Sequence, residues 1–151
     1  MEPASTAATD VSRDLADLLF ALEPGPASTR VVTRHLTDVI VRWALANGWT
    51  PRVEARVEAI AALVGTPQLG YIDILVTRTD GAPDLAIEID SGDKPWSVDK
   101  LRHAAGAGMH AVWIRWGDQQ WAGVYDDVDV IQLWLPRRPA RRAVSDQLPI
   151  W

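Results

Sequence analysis

The sequence predicts an α/β fold, with a mixed central sheet flanked by helices. Three observations lead there. Apolar residues recur at helical spacing over two stretches before residue 48, the period drops from 3.6 to 2 near residue 52, and a strand–helix–strand pattern runs over 84–116.

The elements follow in order. Residues 1–9 are small and polar and read as a frayed terminus. Asp10 or Ser12 can cap a helix carrying Leu15, Leu18, Leu19 and Leu22, stopped by Glu23-Pro24-Gly25-Pro26. Ser28 can cap a second helix, in which Val32, Leu36, Val39, Ile40 and Trp43 form one stripe and Asn47-Gly48 supplies a left-handed stop. Arg52 to Ala59 alternates polar and apolar, as a half-buried strand does, although Val53, Val57, Ile60, Ala61 and Val64 also fit a helical face. Tyr71–Thr77 and Leu85–Asp90 read as strands joined across the Asp80-Gly81 turn signal. Ser97 can cap a helix running to about Ala105, ended by Gly106 and Gly108. Ala111–Trp116 is a strand, parallel to the one before that helix. A last short strand falls at Val130 to Leu135, and 137–151 is a lightly docked tail.

Composition narrows the function classes. The 151 residues suit a single domain, and 48% apolar with 23% charged residues is the balance of a globular protein. No apolar run is long enough to span a bilayer. Met1 to Asp10 lacks a basic patch and an apolar core, so a cytoplasmic protein without a secretory leader is expected. The absence of Cys excludes disulfides, thiolate metal sites and a Cys nucleophile. A net charge of −5 argues against a protein that coats nucleic acid non-specifically. The 15 basic residues are 13 Arg and only two Lys, Lys94 and Lys100.

The central strands carry carboxylates where strands avoid them. By period 2, Tyr71, Asp73 and Leu75 share one face and Ile72, Ile74 and Val76 the other; Ala86, Glu88 and Asp90 lie opposite Leu85, Ile87 and Ile89. Like charges on neighbouring strands repel, and half-buried carboxylates are costly without a cation. Either this face is wet and the acids solubilise it, or they bind a divalent metal. Carboxylate oxygens are hard ligands suited to Mg²⁺, which takes one or two of them and keeps several waters.

This order of elements after the first helix, α-β-β-β-α-β, with a lone Asp in the second strand and Glu88-Ile89-Asp90 in the third, resembles the PD-(D/E)xK nuclease superfamily, the restriction-endonuclease-like fold. The resemblance covers roughly residues 28–116. Within it, Ala86–Ser91, Ser97–Leu101 and Val112–Trp116 look like small members of actinobacterial type. The N-terminal helix and the C-terminal strand are then additions to the αβββαβ core. The resemblance implies an Mg²⁺- or Mn²⁺-dependent phosphodiester hydrolase acting on nucleic acid, as a DNA endonuclease. Asp73 and Glu88 would be metal ligands, with the Ile89 carbonyl. An earlier acid often joins them, with Glu58 as first choice and Glu54 second. The family's lysine would fall at Asp90, which can instead hold a second ion or act as base. Lys100, one turn into the following helix, or Lys94, in the loop, would replace it in orienting water or countering phosphate charge. Without that replacement the chain would be an inactive module of the same fold, binding nucleic acid or a protein partner.

Other residues carry less. Arg137-Arg138-Pro139-Ala140-Arg141-Arg142 can grip phosphates or be a solvated tail. Of eight Trp, Trp43 lies on the second helix's stripe, Trp113 and Trp116 face opposite sides of their strand, and Trp96 lies just beyond the acids. Trp49, Trp96, Trp121, Trp134 and Trp151 are candidates for packing, base stacking or a homodimer interface. His35, His103 and His110 have no metal-ligand spacing, and no Ser/His/Asp triad shows a recognisable context.

Overall fold

In a computed structural model, the described residues are 4–23, 28–57, 70–92, 94–117 and 125–134. They form helices α1 (Ala4–Phe20), α2 (Thr29–Ala46) and α3 (Pro95–Gly106), and strands β1 (Thr50–Arg56), β2 (Tyr71–Thr77), β3 (Leu85–Asp90), β4 (His110–Trp116) and β5 (Val128–Leu133). The strands make one sheet in the order β1-β2-β3-β4-β5. β1, β2 and β3 are antiparallel neighbours, and β3, β4 and β5 run parallel. The α/β class, the antiparallel pair and the parallel strand–helix–strand unit are as the sequence predicts.

The second helix forms as read. The Ser28 side chain accepts the Val31 N–H, and Val32, Leu36, Ile40 and Trp43 are buried. Gly48 follows the helix with φ of 78°, a conformation that glycine adopts without a Cβ penalty. The first helix differs from expectation. It begins at Ala4, not at a cap near Asp10 or Ser12, because Ala4, Ala7 and Ala8 are strong helix formers. Ser12 sits inside it and bonds across to the sheet. The helix α3 likewise starts before Ser97. Pro95 occupies its first turn, where a missing N–H costs nothing, and Ser97 is buried within. The last strand begins at Val128, two residues earlier than its apolar run suggests.

Two apolar layers enclose the sheet. Leu15, Leu19, Leu36, Ile40 and Trp43 of α1 and α2 pack on Ile74, Val76, Leu85, Ile87, Val112, Ile114 and Trp116. On the other face, Val98, Leu101 and Ala104 of α3 pack on Leu75, Ala86, Ala111 and Trp113. Trp113 and Trp116 therefore face opposite layers, as strand parity requires. Both faces of β3 are covered, and every one of its residues is buried.

One face assignment needs correction. Ile72 belongs to the α3 layer, although Ile74 and Val76 belong to the other. Its partner in β1 is Ala55, which lies just past Glu54. Glu54 has φ of 51°, the left-handed region that L-residues avoid, and the strand turns there. Beyond that turn Ala55, Val57 and Ile72 all join the α3 layer. The strand ends at Arg56, and residues 58–59 of the alternating run lie outside the described residues.

Candidate functional site

Among the described residues, four polar or charged side chains are fully buried: Glu88, Asp90, Ser97 and Arg115. All lie at the C-terminal ends of β3 and β4 or in the first turn of α3. Open α/β sheets bind ligands at the carboxyl ends of their parallel strands, so the location itself is informative.

Glu88 is the centre of the group. In the β1–β2 register Val53 faces Ile74 and Ala55 faces Ile72, which sets Glu54 opposite Asp73. On β2 and β3, Ile74 faces Ile87, so the next step sets Asp73 opposite Glu88. The regular pairing stops there. Instead, Asp73 Oδ2 accepts the Ile89 N–H at 2.8 Å. Three carboxylates thus line up across three strands. Two like charges directly opposite would repel, and this row holds three.

Lys100 answers part of that repulsion. It reaches down from α3, with its Nζ forming an ion pair with Glu88 Oε1 and donating to the Tyr71 carbonyl at 2.9 Å. Glu88 Oε1 is buried and in no hydrogen bond beyond that ion contact. Burial pushes the Glu88 carboxyl up to about 9; a hydrogen bond with Asp73 and its charge push the same way, and Lys100 opposes them. A cavity of about 400 Å³ opens beside Glu88's partners and is lined by Glu54, Tyr71, Ile72, Asp73 and Lys100.

Asp90 and Lys94 are engaged one step away. Asp90 Oδ2 accepts the Trp113 indole N–H at 2.8 Å, and Oδ1 pairs with Lys94 Nζ at 3.2 Å. The two lysines are thus divided between the two acids of β3. Lys94 stays 44% exposed and Lys100 only 13%.

The structure brings together Asp73, Glu88 and Lys100, with Glu54 beside them. Glu58 and Arg137–Arg142 lie outside the described residues, as do Trp121 and Trp151. Trp43 and Trp49 are buried and pack edge to face with centroids 5.3 Å apart, whereas Trp96 is half exposed near the N-terminus of α3.

Arg115 went unnoticed in the sequence reading. It faces Asp90 in the β3–β4 register and lies over the Trp113 ring at 5.0 Å. The signal was present: a cation inside Val112-Trp113-Ile114-Arg115-Trp116 is as anomalous as acids inside a strand. Ser12, His110 and Asp129 also converge, though far apart in sequence. Asp129 Oδ2 lies 2.6 Å from both Ser12 Oγ and His110 Nε2. A hydrolase relay needs serine at one ring nitrogen and the acid at the other. Here both meet Nε2, so the cluster is a clasp between α1 and the sheet.

The residues present can be tested against the metal expectation. Among the described residues, no set of three or more His, Asp or Glu side chains is arranged to hold an ion. Asp73 and Glu88 do suit Mg²⁺ or Mn²⁺, which takes one or two carboxylates and completes its shell with water. Their donor chemistry is right, and Glu88 Oε1 already meets one cation, the Lys100 ammonium. No described helix is long and apolar enough to cross a membrane. Comparison of the chain with protein-family models, curated proteins and solved structures finds no match.

Proposed function

We propose that the chain is a metal-dependent phosphodiesterase of the PD-(D/E)xK type acting on nucleic acid, with DNA as the expected substrate. The observation that carries this reading is the carboxylate row Glu54–Asp73–Glu88, running from an exposed end at Glu54 to a buried one at Glu88, with the Lys100 ammonium on Glu88 and an open cavity lined by Glu54, Asp73 and Lys100. The order α2-β1-β2-β3-α3-β4 supports the family resemblance, being the αβββαβ order of that fold.

Asp73 and Glu88 would hold Mg²⁺ or Mn²⁺, with the Ile89 carbonyl as a further oxygen donor. When bound, the ion would supply an acidified water and neutralise charge building on the phosphate. Glu54 lines the same cavity and can accept a proton from the attacking water. Lys100 takes over the duty of the lysine that the family has where this chain has Asp90, stabilising the phosphate oxygens. Asp90 serves as a support: it fixes Trp113 from one oxygen and holds Lys94 with the other.

The alternative is a non-cutting module of the same fold, for which both lysines should face solvent. Lys100 does not, and its contact with Glu88 supports the hydrolytic reading. The test is a nuclease assay with Mn²⁺, repeated with EDTA and with Asp73→Ala and Glu88→Ala. Cleavage that stops with EDTA and with each variant is expected. Cleavage that persists in both variants would refute the assignment.

A further inference from the structure

Lys100 makes two polar contacts in the site, both with oxygens of the protein itself. Its Nζ meets Glu88 Oε1 and the Tyr71 carbonyl, two oxygens from adjacent strands. Its side chain is largely covered, although the cavity beside it is open. An ammonium between a carboxylate and a backbone carbonyl has the surroundings of a bound cation, with hard oxygen donors from two directions. Lys94 offers the contrast: its partner is Asp90, two residues along the strand from Glu88, and it is far more exposed than Lys100.

We infer that Lys100 is the resident cation of this site, occupying the position on Glu88 that a divalent ion would take, and that it must leave this position before an ion can bind. The inference rests on the metal-dependent reading above. It adds that the lysine sets the metal affinity by competition, separately from any part it plays in catalysis. Two cations cannot share Glu88 Oε1 without strong repulsion at contact distance. The carboxylate row would be left with unrelieved repulsion if the lysine moved away alone, so departure and ion entry are coupled. The cavity provides the room: Lys100 already lines it, and its four-carbon stem can swing the ammonium towards the opening. There it can meet a phosphate. The same residue would then compete with the ion for Glu88 and meet the phosphate once the ion is bound.

Calorimetric titration of Mn²⁺ into the wild type and into Lys100→Met tests this. Methionine keeps most of the stem's bulk and removes the charge. The titration is run at pH about 8.5 to limit competition from protons. The variant is expected to bind Mn²⁺ at least tenfold more tightly. Equal or weaker binding by a folded variant overturns the inference. Binding by neither protein rejects the metal-dependent reading, and the inference falls with it.

A second measurement needs no variant. The chain has only two lysines, so acylation of each amine by a soluble reagent can be followed by mass spectrometry. Saturating Mn²⁺ should speed labelling of Lys100 severalfold and leave Lys94 unchanged. A Lys100 rate that does not change when the ion is bound overturns the inference.

Discussion

The indole N–H of Trp113 on β4 donates to Asp90 Oδ2 on β3 at 2.8 Å, a bond buried between the sheet and α3. It joins the two parallel strands through side chains at the end where the acids collect. It also gives one oxygen of Asp90 a fixed task. A buried carboxylate that loses its donor keeps its desolvation cost. Trp113→Phe should therefore destabilise the protein by about 1–3 kcal/mol in urea unfolding, beyond the small loss of area. Lys94→Ala strips a half-exposed ion partner from the same buried carboxylate and should also destabilise the protein, by about 1–3 kcal/mol.

Glu88 contributes to the pH dependence of stability. Its carboxyl titrates near 4.5 in the unfolded chain and at about 9 in the fold, where burial is the main cause. Between those values the folded state binds the extra proton, so stability falls as pH rises. The contribution is full below 4.5 and gone above about 9. The slope is at most about 1.4 kcal/mol per pH unit for one proton. Urea midpoints measured across this window should decline in the wild type and flatten in Glu88→Gln. At the alkaline end the variant should be the more stable protein.

Glu54 carries backbone strain at the cavity's edge. A non-glycine residue at φ of 51° costs about 1–2 kcal/mol, and its carboxylate adds repulsion opposite Asp73. Glu54→Gly removes both. The variant should gain about 1 kcal/mol of stability while losing Mn²⁺-dependent cleavage, measured by melting and by the nuclease assay. A rise in stability with full activity would take Glu54 out of the site.

The clasp of Ser12, His110 and Asp129 tethers α1. The hydrogen bond from His110 holds the Asp129 carboxyl below its usual 3.8; burial opposes this, and Ser12 adds to the lowering. The stabilisation is therefore present above 3.8 and lost as pH falls through the depressed value. Amide exchange should show α1 losing protection in acid in the wild type. In Asp129→Asn the same loss should appear already at neutral pH.

Much of the fold was written locally. The stripe Val32-Leu36-Ile40-Trp43 with its Ser28 cap, the β-branched run of β2 and the apolar alternation of β3 each specify an element through short-range periodicity. Asp73 and Glu88 were legible for the same reason, since acids inside such strands break the pattern. What misled was equally local. A polar Ser12 reads as a cap until the alanines before it extend the helix, and Ser97 reads as one until Pro95 takes the first turn.

The sequence alone determined the α/β class, the order of elements, the scarcity of lysine and the two anomalous acids. Only the tertiary structure decided that Glu54 and Asp73 face each other, that Lys100 meets Glu88 while Lys94 meets Asp90, and that Arg115 lies beside Asp90. Periodicity says which face a residue takes, because that depends on its neighbours in the chain. Register and helix docking decide which side chains touch across the sheet, because they depend on how two whole layers pack. The single left-handed residue at Glu54, which turns β1 and carries Ala55 and Val57 into the other layer, is decided there too.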